Sequence, residues 1–461
     1  MLALTALTVL FLAVKLRLKY YKLASVGVTL LMILPLSVIP ASHQSLTALA
    51  NIPFVGLFFY TALHLFMSWF WQRDKTPSIS LLPMKISNAL WLIGMFAWVY
   101  TGHNEISAYL SAQSAMHLSL VFMSASFVVW LLLAQKFEWK MMQMMNYLFL
   151  PYLLFMSYFS LVNNYHFHQS YGLLSWMLAA LINYWILKIS DRSDRQFKSA
   201  YHLASLLLFV FIVVYEFKQL IIFTFTKGTI WQHMATSFIL LLLVMGLYKI
   251  RKVQLWPFSK YHRVYFHHAL LGLSALLWLM LISANLLPPG KATLINYLPV
   301  LNIIDILGIV FIFFAWKVLS NKETMTVRST NILMNIALPA TAFLMLNASM
   351  LRTFHFWFDI HYKFTALVSS FIIQSAFSIL WSLTAVILMV LASKKSWRLV
   401  WLVGLGLMIA VVLKLFLVDM SASGTVARIV AFLSVGLLLS LVGYFSPLPP
   451  EAANSHASNQ T

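Results

Sequence analysis

Apolar stretches long enough to cross a bilayer alternate with short polar gaps from one end of the chain to the other. A helix spanning the ~30 Å hydrocarbon core needs about 20 mainly apolar residues, with a range of ~17–25. By that measure the pattern predicts up to fifteen spans, over residues 1–14, 23–40, 50–71, 86–101, 113–134, 144–162, 170–189, 200–223, 229–248, 266–287, 297–319, 331–350, 366–391, 398–418 and 426–444. The expected fold is all-α: a polytopic integral membrane helix bundle of about 15 transmembrane helices, with a range of 13–15. No gap is long enough to fold as a separate soluble domain, so residues 1–446 read as one membrane domain. The polar, proline-broken segment 447–461 reads as a disordered cytoplasmic tail.

The gaps differ in charge. Of 31 lysines and arginines, 24 fall in every second gap, from the Lys15, Arg17, Lys19 and Lys22 cluster to Lys394, Lys395 and Arg398. Basic gaps stay on the cytoplasmic side, so an odd number of spans puts the N-terminus outside and the C-terminus inside. Met1–Val14 is apolar from its start, with the basic run KLRLK after it, which suits a first inserted helix better than a cleavable leader. Composition agrees with a membrane setting. Hydrophobic residues make up 62% of the chain and charged residues 9%, against about 25% charged in globular domains. The net charge of +20 is concentrated on one face, so the expected partners are membrane lipids with anionic headgroups at the cytoplasmic face, and no nucleic acid. With no cysteine, disulfides, thiolate catalysis, cysteine-ligated iron–sulfur clusters and c-type haem are excluded, and no cofactor is expected.

Charges near the hydrocarbon core point to chemistry, because a central Asp, Lys or Arg costs about 2.5–3.5 kcal/mol on insertion scales. Asp305 lies some eight residues inside its predicted span, hence ~12 Å deep, with Asn302 on the same face at i−3. Such an acid takes up a proton, holds a cation or pairs with a base on another helix; a plain structural bond inside the bundle is the simpler reading. Arg352 and His355 share a face at i, i+3, with Asp359 and His361 following. Together with Glu105, Glu216 and Asp419 they predict an outward polar surface capable of acid–base work, or simple interfacial anchoring. Lys414, Asp419 and Arg428 predict an ion-pair corner joining the last two helices. His166 and His168, in NNYHFHQ, alternate on a short loop with no carboxylate nearby in sequence, so no metal site is expected there. No Gly-rich phosphate loop, Gly-x-Ser-x-Gly elbow or His-Glu-x-x-His pattern occurs. A faint repeat links His166-Phe167, Gln169-Ser170 and Trp176 with His355-Phe356, Gln374-Ser375 and Trp381, six helices on, as a parallel duplication would.

From Arg352 onward, the run Arg352-Thr-Phe-His355, the segment Gln374-Ser-Ala-Phe-Ser-Ile-Leu-Trp381, and above all Lys414-Leu-Phe-Leu-Val-Asp419 followed by Gly424-Thr-Val-Ala-Arg428 resemble bacterial predicted membrane proteins of domain of unknown function 2339. The resemblance covers about residues 350–446. It implies a bacterial inner-membrane protein and carries over Arg352, His355, Lys414, Asp419 and Arg428 as signature positions, with no reaction attached. Members are often longer, with a soluble or coiled-coil N-terminal part. Three functions follow as expectations. The first is a protein handling a small solute, an ion or a lipid-linked envelope component. The second is a transferase of envelope-polymer assembly using a lipid-linked donor, with Glu105, Asp359 or Asp419 as its acid. The third is a non-catalytic scaffold.

Overall fold

The structure, a computed structural model, describes residues 2–15, 24–28, 47–73, 82–192, 195–224, 229–287, 289, 297–320, 332–419, 436, 440 and 444. All of its regular elements are helical. The longer helices are α1 (Leu2–Lys15), α2 (Ile52–Arg73), α3 (Leu82–Tyr109), α4 (Ala112–Lys136), α5 (Met145–Val162), α6 (Gly172–Ile189), α7 (Arg195–Thr224) and α8 (Ile230–Lys249). They continue with α9 (Leu270–Leu286), α10 (Ile303–Leu319), α11 (Leu338–Phe358), α12 (Phe371–Lys394) and α13 (Arg398–Lys414). π-helical turns Val264–Ala269 and Leu333–Ala337 lead into α9 and α11, and a third, Leu415–Asp419, follows α13.

The exterior departs from that of a water-soluble bundle, and the apolar interior also holds polar groups. Phe96, Leu181, Phe223, Phe313 and Leu399 are largely exposed, while His64, Ser68, Ser124, Asn183, Asp305 and Arg352 are buried. Exposed large apolar faces and buried polar groups are the informative departures from the globular rule, and a bundle bathed in lipid produces both.

Fewer membrane-length helices than the fifteen expected stand among the described residues. Among the described residues, nine helices are long and apolar enough to cross a membrane. Four other expected spans are helical but fall short for identifiable reasons. α1 has 14 residues. α3 is 28 residues long, but Lys85, Ser87 and Asn88 at one end and His103, Asn104 and Glu105 near the other dilute its apolar run. α5 has 18 residues, near the lower limit for a span, of which Tyr147–Val162 are the described apolar part. α10 has 17 residues because Asn302 starts the helix at Ile303 rather than 297, giving a length of about 25 Å. Of the remaining two, 23–40 is described only at 24–28, and 426–444 only at 436, 440 and 444.

The helices gather into two compact units, Met1–Glu216 with Lys252–Ala269, and Phe217–Arg251 with Leu270–Thr461. In the first, Leu120, Phe127 and Trp130 of α4, Phe149 and Leu153 of α5, and Trp176, Ala179 and Ile186 of α6 form the core. α2 and α3 are clasped by a reciprocal serine pair: Ser68 Oγ donates to Ser87 O at 2.9 Å and Ser87 Oγ to Ser68 O at 2.8 Å. Small hydroxyl residues permit that close backbone approach and satisfy themselves where no water reaches. In the second unit, α12 packs on α13 at Gly404, where a Cβ would come within 3.1 Å of Ala385 O. Polar cross-links tie its other helices, with Trp278 Nε1 donating to Thr341 Oγ1 at 2.8 Å and Trp381 Nε1 to Asn347 Oδ1 at 2.6 Å.

Candidate functional site

α10 begins with an Asn-x-x-Asp cap. The Asn302 side chain accepts from the amides of Ile304 and Asp305, both at 3.0 Å. This satisfies two of the donors that a helix N-terminus leaves open. Asp305 therefore sits in the first helical turn, not ~12 Å inside a longer helix as the apolar run from 297 suggests. Its negative charge is favoured there by the helix dipole.

Four donors converge on the Asp305 carboxylate. Arg352 Nη2, from α11, forms a short ion pair with Oδ1. Oδ2 accepts from Ser349 Oγ at 2.7 Å, Asn302 Nδ2 at 2.5 Å and the Val300 amide at 3.1 Å. Val300 holds φ at 66° to present that amide, a conformation that β-branched residues rarely adopt and that costs free energy. Arg352 Nη1 donates to Asn285 Oδ1 at 3.1 Å, and Asn285 is anchored in turn to Leu281 O at 2.7 Å. Arg352 Nε is buried without a hydrogen-bond partner. Three helices, α9, α10 and α11, thus meet at one ion pair whose side chains are 1% and 5% exposed.

The segment before α10 is pinned over this pair by α11. Trp357 Nε1 donates to Tyr297 O at 3.0 Å, Tyr297 OH donates to Ser349 O at 3.2 Å, and the Tyr297 and Phe356 rings stack at 4.7 Å. His355 Nδ1 lies 2.8 Å from Ile360 O, closing the turn after α11. Burial pushes the Tyr362 phenol above its ordinary pKa, against the pull of the Arg352 charge and with a further rise from Tyr297.

The sequence-selected residues separate into groups. Asn302, Asp305 and Arg352 come together, joined by Asn285 and Ser349. His355 bonds a backbone carbonyl. Asp359 ends α11 in the left-handed region and is exposed. Lys414 donates to Gln374 O at 2.8 Å and Ser378 Oγ at 2.9 Å, binding α13 to the start of α12. The Asp419 side chain and Arg428 lie outside the described residues. Glu105 and Glu216, grouped with these in the expected polar surface, belong to local networks of the first unit. Glu105 is held by the Leu49 amide at 2.7 Å and by Asn51 Nδ2 at 2.9 Å. His168 Nδ1 stands 2.9 Å from Glu216 Oε2.

A further polar knot in the first unit centres on Asp191, which accepts from Tyr261 OH at 2.5 Å, Lys260 Nζ at 2.6 Å and Trp256 Nε1 at 3.2 Å. Burial alone would raise the Asp191 pKa, but these hydrogen bonds and the Lys260 charge together hold it below the usual carboxylate value. Among the described residues no three histidine or carboxylate side chains stand at ready-made coordination spacing.

Membrane-length apolar helices, lipid-type exteriors and buried inter-helix polar bonds define a multi-pass helical membrane protein. The chain belongs to the family described as Predicted membrane protein (DUF2339), whose model matches residues 1–449. The match reaches far beyond the C-terminal hundred residues that carry the resemblance in the sequence. No curated protein and no solved structure matches the chain.

Proposed function

We propose that the protein is a multi-pass protein of the bacterial inner membrane that handles a small solute, an ion or a lipid-linked envelope component, with the Asp305–Arg352 network as its polar centre. The carrying observation is the nearly sealed ion pair with Arg352 Nε left unspent. A bundle needing only rigidity gains little from a buried ion pair, since well-packed apolar residues often replace one without loss. Buried charges inside membrane bundles mark ion and substrate pathways. The basic gaps support an outside N-terminus and inside C-terminus, with about fifteen spans in one membrane domain. The scaffold reading has one observation in its favour, the saturation of Asp305 by four donors.

Asp305→Asn separates the two. It preserves shape and most hydrogen bonds while removing the charge. In a strain lacking the protein, the variant is expected to reach near-normal membrane abundance yet fail to restore the lost phenotype. Full restoration at normal abundance selects the scaffold. Sidedness is tested with alkaline-phosphatase fusions: those after His43, His103, His166 and Lys291 are expected to be active, and those after Arg73, Arg192, Arg251 and Lys394 inactive.

A further inference from the structure

A small cavity lies in the first unit where the start of α5, the end of α6 and the first turns of α7 meet. Tyr147, Leu187, Ser190, Lys198, Tyr201 and His202 line it. Lys198 is 5% exposed, and lysine is among the residues least often buried to that degree. A shielded ammonium group needs anionic or polar atoms around it. Ser190 Oγ is buried as well and makes no hydrogen bond. We propose that this cavity binds the phosphate of an anionic phospholipid, with Lys198 as the countercharge and the Ser190 hydroxyl as a donor.

The local charge balance suits an anion. Segments 188–198 and 260–263 meet here through the Lys260–Asp191 pair. They carry the bases Lys188, Arg192, Arg195, Lys198, Lys260 and Arg263 against the acids Asp191 and Asp194. Asp191 is already engaged by Lys260, Tyr261 and Trp256, so the region stays positive. Basic pockets between membrane helices are a recurrent headgroup site. The expectation of anionic lipid at the basic gaps thereby acquires one defined place.

Size and shape decide how the phosphate sits. The cavity holds about 20 Å³, enough for one water-sized group. One phosphate oxygen fills it, and the phosphorus with its other oxygens stays at the mouth. Tyr147 at the rim is exposed, as are Leu148 on α5 and Tyr184 on α6, which gives acyl chains an apolar surface beside the headgroup. A free phosphate ion gains nothing from that surface, so a lipid is the source the site favours. The walls are tied before any ligand arrives: the Leu150 amide donates to Tyr201 OH at 2.8 Å, joining α5 to α7, and His202 Nδ1 lies 2.9 Å from Tyr265 OH. Such preorganisation lowers the cost of binding. The inference uses the membrane setting but not the role proposed for the Asp305 network.

The test follows the melting midpoint of the purified, delipidated full-length protein in neutral detergent as phosphatidylglycerol, phosphatidylcholine or inorganic phosphate is added. Phosphatidylglycerol is expected to raise the midpoint saturably, as a ligand of the folded state does, and the other two to leave it near its starting value. Lys198→Met is expected to raise the half-saturating phosphatidylglycerol concentration by about tenfold or more, the loss of a charge-assisted hydrogen bond, and Ser190→Ala to raise it less. Arg73→Gln, at the end of α2, is expected to leave it unchanged. Lys198→Met removes a buried charge and keeps the length of the stem; if its lipid-free midpoint falls, Ser190→Ala carries the test. The proposal is overturned if phosphatidylglycerol gives no shift in the unsubstituted protein, or if the response survives both cavity substitutions. An equal loss in Arg73→Gln overturns it too, since the attraction would then be general. So does stabilisation by inorganic phosphate that matches the lipid, because the ligand would then be the free ion.

Discussion

Asp305 and Glu216 are both carboxylates that meet nitrogen bases on other segments, yet their surroundings differ in every respect that matters. Asp305 is met by an arginine that cannot give up its proton, and the two side chains are 5% and 1% exposed. Glu216 is met by imidazoles that can, and its side chain and that of His168 are 15% and 43% exposed. In the first case both carboxylate oxygens are hydrogen-bonded, while in the second an oxygen and a ring nitrogen face each other unbonded. Low dielectric magnifies the cost of breaking the sealed pair, whereas water screens the open one. The sealed pair therefore carries more of the stability than the open one.

The largest expected effect comes from removing Arg352 alone. Arg352→Ala leaves Asp305 charged and buried with no cation, and is expected to cost about 3–5 kcal/mol, seen as a lowered unfolding midpoint in detergent. Adding Asp305→Ala is expected to recover part of that loss, and strictly additive losses would show that the two do not act as a pair. Asn302→Ala removes the α10 cap and one of the four donors, with an expected cost of about 1–2 kcal/mol by the same measurement. His168→Ala breaks the open pair and is expected to cost no more than about 1 kcal/mol. A loss comparable to that of Arg352→Ala would erase the contrast between the two sites.

Asp191 gives the smallest effect and the clearest pH signature. Its folded pKa lies below its unfolded value, which is about 3.9. Its stabilising contribution is thus fully present above about pH 4 and is lost as pH falls through the folded value. Asp191→Asn is expected to lower the melting temperature at neutral pH by the amount this contribution supplies, and to flatten that part of the acid-side decline. An acid limb identical to that of the unsubstituted protein would show that the Lys260 pairing has no net weight.

Much of this was legible in the chain. Apolar stretches and basic gaps mark an all-helical membrane protein, and Asp305, Asn302 and Arg352 stand out as charges and amides where few belong. The apolar run overstates the depth of Asp305, because Tyr297, Leu298, Val300 and Leu301 extend it backward past the helix start at Ile303. The Asn302-x-x-Asp305 spacing already announced a cap. Asn285 and Ser349 carry no charge and come from two other helices, so no local pattern marks them. Glu216 lies 48 positions from His168, and only the packing of α7 against the α5–α6 loop makes it a neighbour. Two of the groups that Lys414 bonds, a backbone carbonyl and a serine of α12, carry no charge, so charge complementarity does not select them.

Whether the Asp305–Arg352 network ever opens to water is the most direct test of its proposed role. The chain has no cysteine, so Ser349→Cys places a single thiol beside Asp305, where native Ser349 is 7% exposed and its hydroxyl donates at 2.7 Å. In proteoliposomes under native conditions, a membrane-impermeant maleimide is expected to label this thiol slowly, and faster once Asp305→Asn loosens the network. A thiol that stays unlabelled in both backgrounds until the protein is denatured would contradict a solute-handling role and leave the ion pair a fixed support.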